Sequence, residues 1–149
     1  MGRDIYGYGK MKKVSIITAI EQLRLRGEDA VPADRLDRHD IFINDKGVRI
    51  KIKFSKPIRR SSIVGFCWEF TNIVHGSRLW PYDVYHYYIL MGLDENGGVK
   101  KIWKMPTNDD MIYRKNQIFI PLDRSDDYNK YELEIINNDN DDEDFLWID

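Results

Sequence analysis

Residues 40–53, DIFINDKGVRIKIK, constrain this chain more than any other stretch. Ile41 and Ile43 alternate with Asp40, Phe42 and Asn44, and Ile50 and Ile52 alternate with Arg49, Lys51 and Lys53. A period of two marks a strand with one buried face. Between the two runs, Asn44-Asp45-Lys46-Gly47 is a strong hairpin-turn signal. Keeping all four isoleucines on one face predicts pairing of Ile43 with Ile50 and of Ile41 with Ile52. That register sets Asp40 opposite Lys53 on the other face, with Lys51 two residues along. Directly opposed side chains lie about 4.5–5.5 Å apart at Cβ. Taken alone, such a pair is a solvent-facing salt bridge worth about 0–1 kcal/mol.

At 149 residues the chain is most simply one domain, with a hydrophobic content of 42% and enough length to bury a core. No apolar run approaches the roughly 20 residues that span a bilayer. The opening MGRDIYGYGKMKK has no signal-peptide core, so an intracellular, cytoplasmic setting is expected. The one cysteine, Cys67, excludes an intramolecular disulfide and a cysteine-based zinc cluster. His39, His75 and His86 show no metal-ligand spacing and are expected to be surface or packed histidines. A net charge of −2 conceals an asymmetry: residues 1–60 hold 15 bases and 8 acids, and residues 137–149 hold six acids and no base. A basic body with an acidic tail is compatible with nucleic-acid binding, and equally with ordinary soluble faces.

Along the chain the pattern predicts an α/β organisation. Residues 1–9 read as a flexible or loosely docked arm, and residues 3–11 as either a DNA-contacting arm or a disordered terminus. Residues 10–26 read as a helix burying Val14, Ile17, Ile20 or Ala19, and Leu23, stopped by Gly27. Residues 30–38 read as a loop, and the hairpin follows. Further strands are expected over 66–70, 84–93, 99–105 and 118–120, with a loop at 72–82 and a closing helix or strand over 128–136. Trp80, Tyr82, Tyr85, Tyr87 and Tyr88 are expected in the core, with base stacking as the alternative. Lys56, Arg59 and Arg60 form a basic loop after the second hairpin strand: phosphate contacts or plain exposure.

The order of helix, Asp40 on a strand, hairpin to Lys53, a W-x-F element at 68–70 and then DVYHYYILMGLDENGGVKKIWKMP at 83–106 resembles the PD-(D/E)xK nuclease superfamily. The resemblance covers residues 10–136 and is to the small restriction and homing endonuclease-like members. It implies a restriction-endonuclease-like mixed sheet flanked by helices, in one domain over 1–136 with an acidic tail over 137–149. It implies double-stranded DNA as partner, Mg²⁺ as cofactor if the site is active, and phosphodiester hydrolysis. A homodimer is implied as well, because cutting both strands of a duplex usually takes two sites related by two-fold symmetry. Asp40 would be the metal ligand, and Lys53 would orient or deprotonate the attacking water. Arg49, Lys56, Arg59 and Arg60 would contact DNA.

Two positions depart from that pattern. Lys51 stands where a second carboxylate is expected, and a helix glutamate would fall near Ser15, with Glu21 later on the helix. A positive charge about 5 Å from a divalent ion costs roughly 6–7 kcal/mol at an effective dielectric of 20. Three explanations follow: an inactive site, a Lys51 that turns away to a DNA phosphate, or another acid, Glu69, acting as ligand. The alternative function is a non-catalytic DNA- or protein-binding module on the same scaffold.

Overall fold

The computed structural model describes residues 3–59, 65–71, 73, 85–109 and 117–137, with side chains from residue 9 onward. A long helix, α1 (Arg3–Leu25), is followed by β1 (Ala30–Pro32), β2 (Ile41–Ile43), β3 (Val48–Ser55), β4 (Ile58–Arg59), β5 (Phe66–Phe70), β6 (Tyr87–Leu93), β7 (Val99–Pro106) and β8 (Ile118–Pro121). A 3₁₀ stretch over Leu122–Tyr131 closes the described chain. The main sheet runs β1-β2-β3-β6-β7 and is mixed, with β3 and β6 parallel and its other pairs antiparallel. The second sheet, β4-β5-β8, is antiparallel.

β6 explains how the layers stack. Ile89, Met91 and Leu93 point to a core built with Ala19, Ile20 and Leu23 of α1, joined by Ile41, Ile43, Ile50 and Ile52 of the hairpin. Tyr88 and Leu90 point the other way, into a second core with Trp68, Phe70, Ile118 and Ile120. A strand covered on both faces carries a continuous apolar run rather than an alternation. β3 behaves differently. Ile50 and Ile52 are buried against α1, but Lys51 and Lys53 lie on the face turned toward the second sheet.

The helix departs from its expected form at both ends of the argument. It begins at Arg3, so residues 3–9 are its first turns and not an arm. Its buried face holds Ser15, Ala19, Ile20, Gln22 and Leu23, whereas Val14 is 45% exposed. A serine and a glutamine on the buried face hid the true stripe. Gly27 stops the helix as expected, at φ 88°. Glu28 N–H bonds Leu23 O at 3.0 Å and Gly27 N–H bonds Arg24 O at 2.9 Å, the Schellman pattern that a left-handed glycine permits.

The hairpin register also differs from expectation. Ile41 pairs with Ile50 and Ile43 with Val48, two residues from the predicted pairing. The shift keeps every side chain on its expected face, because the period is two. It follows from the turn: Gly47, at φ 66°, donates to Ile43 O at 2.8 Å, closing the loop over 44–47 at once. The predicted register would have needed a looser six-residue loop. β1 is a second correction, since Ala30, Val31 and Pro32 pair with β2 where a loop was expected. Pro32 is tolerated because β1 is an edge strand. The expected strand over 84–93 starts at Tyr87, and the expected closing element over 128–136 is 3₁₀ only to Tyr131. The loop predicted over 72–82 lies outside the described residues, apart from Ile73.

Gly92 marks where the layers approach most closely. A Cβ built there would sit 2.6 Å from the Trp68 ring, whose Nε1 donates to Leu93 O at 2.8 Å. We expect Gly92→Ala to lower stability by about 1–3 kcal/mol, since overpacking forces the indole off its hydrogen bond. Denaturant unfolding of the variant checks this; an unchanged midpoint would show that the indole moves freely.

Candidate functional site

Asp40 precedes β2 and is only 8% exposed. Its backbone N–H donates to Ile50 O at 2.9 Å, one residue out of step with the Ile41–Ile50 pairing, so Asp40 sits just before the paired residues of the hairpin. The Asp40 carboxylate accepts from Ile52 N–H at 2.8 Å through Oδ2. The carboxylate is therefore fixed by backbone, on a strand whose register the turn dictates.

Two ammonium groups close on the same carboxylate. Lys51 Nζ lies 3.6 Å from Oδ2, and Lys12 Nζ lies 3.5 Å from Oδ1. Lys51 also donates to Arg38 O at 3.1 Å and sits 6.0 Å from the centre of the Tyr85 ring. It thus turns toward Asp40, and not away from it. Lys53 stands two residues along on the same face. Burial above all, then the Lys51 charge, pull its ammonium below the usual lysine range, with Asp40 opposing and Lys12 adding to the depression. Lys12, Lys51 and Lys53 thus share one neighbourhood.

Glu69 of β5 completes the setting. It lines a polar cavity of about 270 Å³ with Lys12, Lys51, Lys53 and Thr71. Its backbone N–H donates to Ser55 Oγ at 3.0 Å, which ties β5 to the end of β3. The structure thus brings Asp40, Lys51, Lys53 and Glu69 to one region, with Asp40 adjoining Lys51 where Lys53 was expected. Ser15 is buried and contributes no acid. Glu21 is absent from the cavity wall, and burial pushes its carboxyl above the usual range.

The donor set does not fit a divalent cation. Both oxygens of Asp40 already face ammonium groups, and among the described residues no three His, Cys, Asp or Glu side chains converge to hold a metal. Lys12 is a site residue that the sequence pattern did not single out: it lies three residues before the buried Ser15, one helical turn away on the same face, and a polar residue on that face hides the orientation of the helix.

The remaining site residues scatter around this centre. Arg49 is the neighbour of Phe42 on β3, and its backbone N–H donates to His86 Nδ1 at 2.9 Å. That contact requires an unprotonated Nδ1, and burial followed by the Arg49 charge pulls the His86 pKa down. His86 is thus an exposed histidine that accepts from the backbone, the surface alternative of the expectation. Lys56 is exposed just past β3, and Arg59 is an exposed residue of β4 with its guanidinium 5.6 Å from the Phe66 ring. The basic loop expected there is in part a strand. Arg60, His75, Trp80 and Tyr82 lie outside the described residues. Tyr85 and Tyr88 are buried, with Tyr88 Oη donating to Ile73 O at 2.7 Å, so they are core aromatics.

No family model matches the chain, and no curated protein matches it. A solved structure does. The chain is similar to a bacterial homing endonuclease, I-Ssp6803I, with a TM-score of 0.50 and 12% identity over 80% of this chain and 82% of that one. The fold is a nuclease-like mixed α/β scaffold. At this identity the likeness speaks for the fold alone. Among the described residues no helix is long and apolar enough to cross a membrane.

Proposed function

We propose that this protein binds double-stranded DNA on a nuclease-like scaffold, and that lysines stand at its Asp40 centre where a PD-(D/E)xK enzyme holds Mg²⁺. One observation carries the reading: Lys12 and Lys51 occupy both oxygens of the carboxylate that would otherwise bind the metal. Exchanging a divalent ion for ammonium groups keeps positive charge beside the strand but removes the means to activate water. What remains is attraction for phosphate, supplied by Lys51, Lys53, Lys56 and Arg59 along one run of chain. Arg49 and Arg60 extend that run in sequence.

Binding should be independent of Mg²⁺ and steeply dependent on salt. Neutralising about four phosphates gives a slope of roughly −3 to −4 in log affinity against log salt. Charge reversal at Lys56 and Arg59 should weaken binding to all duplex sequences about equally. Fluorescence anisotropy with labelled duplexes, in EDTA and in Mg²⁺, reads both effects. No binding at low salt, or affinity that appears only with Mg²⁺, ends this reading.

A second reading has its own support. Glu69 lines the same cavity as Lys51 and Lys53, so it is the acid positioned to take over as ligand in an active nuclease. Plasmid nicking in Mg²⁺ or Mn²⁺ that is lost in Glu69→Gln would select it. A two-fold homodimer on duplex DNA accompanies either reading, and sedimentation with and without DNA tests it.

A further inference from the structure

A groove of about 500 Å³ runs between α1 and β1. Its floor is apolar, from Ile16, Ile17, Ile20 and Pro32, and its rim is basic, from Lys12, Lys13 and Arg35. Among the described residues no acid lines it. Beyond Arg35, Leu36 stands 91% exposed. An apolar floor with a positive rim selects an acidic segment that carries a few large apolar side chains.

The chain itself contains such a segment. Residues 139–149 hold five acids, then Phe-Leu-Trp-Ile over 145–148, then Asp149, and no base. We propose that residues 139–149 dock in the α1–β1 groove of their own chain and compete there with nucleic acid. The competition, though not the docking, rests on the DNA-binding reading above.

The anchoring of the preceding residues makes the reach feasible. Ile136 is held to α1 by two hydrogen bonds with Gln22: its N–H donates to Oε1 at 2.8 Å and its carbonyl accepts from Nε2 at 2.9 Å. Gln22 lies ten residues beyond Lys12 on the helix, or about 15 Å at 1.5 Å per residue. The nine residues from 137 to 145 span up to roughly 30 Å when extended. That is enough to pass the helix, about 10–12 Å across, and bring residues 145–148 to the groove. Ile135 and Ile136 are each more than a third exposed, so apolar surface is already present where this path begins.

Lys12 is the link to function. It lines both the groove and the lysine cavity, and its Nζ is one of the two that hold Asp40. Carboxylates seated at the rim would draw on the same charge that a phosphate uses. Docking within one chain operates at millimolar effective concentration, so even weak contacts suffice to compete.

The test uses the full chain with cysteines at Leu36→Cys and Asp149→Cys, joined by a short bismaleimide at low micromolar protein. Cys67 is buried and stays silent. We expect a cross-link within one chain, reduced at least about fivefold by Phe145→Ser with Trp147→Ser. The same two substitutions should tighten duplex binding by about three- to tenfold at low salt. A missing cross-link, one indifferent to these substitutions, or one joining two chains overturns docking in cis; the last assigns the groove to a second copy. If the cross-link forms while duplex DNA does not bind, docking stands and the DNA-binding reading fails. If DNA binds yet leaves the cross-link yield unchanged, the competition is overturned.

Discussion

Lys51→Glu should turn a protein indifferent to Mg²⁺ into one that binds it. In the parent chain, Lys51 Nζ lies 3.6 Å from Asp40 Oδ2, so an ion on that oxygen would meet a positive charge about 5 Å away. The repulsion is roughly 6–7 kcal/mol at an effective dielectric of 20, reduced by the partial exposure of the lysine. The substitution removes it and adds a second carboxylate across the strand pair. Glu69 stands in the same cavity as a third. Mg²⁺ at about ten times its Kd should then raise the melting temperature of the variant by about 3–6 °C. The parent should not move. Lys51→Gln separates the two contributions, because it removes the charge without adding a ligand, and it should respond weakly. Equal Mg²⁺ stabilisation of parent and variant would falsify the lysine-for-metal reading. Cleavage need not return in full, since Ser15 still supplies no acid from the helix.

The hairpin shows how much of this was legible beforehand. The faces of Asp40, Lys51 and Lys53 follow from the alternation of four isoleucines, because any even shift in register preserves them. Which lysine meets Asp40 does not follow, since it depends on how tightly Asn44 to Gly47 closes. Gly47 at positive φ makes the tight closure available, and with it Lys51 replaces Lys53 as the neighbour. The long apolar run ending at Leu93 marked the central strand correctly, because only a strand covered on both faces needs such a run. Lys12 was illegible for a different reason. The stripe that orients α1 includes Ser15 and Gln22, so polarity misled the choice of buried face and, with it, the choice of residue that reaches the site. Gln22 is buried because it spends its amide on Ile136, a contact 114 residues away that no local pattern announces.

Asp40→Asn should separate a lysine-held carboxylate from a metal-held one by moving two properties in opposite directions. The amide oxygen can still accept from Ile52 N, so the strand junction survives. What is lost is the negative charge that Lys12 and Lys51 face at 3.5 and 3.6 Å, and that opposes the depression of the Lys53 pKa. Three lysines then remain with less to balance them, and stability should fall by about 1–3 kcal/mol, below the full cost of breaking a buried pair because Lys12 and Lys51 are partly in water. The same loss raises the positive potential of the cavity, so duplex binding should tighten, by a few-fold at low salt and less as salt screens it. A metal-dependent site predicts the reverse for binding: with no ion held, phosphate affinity in Mg²⁺ would drop. Unfolding and anisotropy on one preparation of Asp40→Asn therefore decide the matter. Lower stability with tighter binding supports lysines at the centre; weaker binding that the parent shows only with Mg²⁺ supports an ion there.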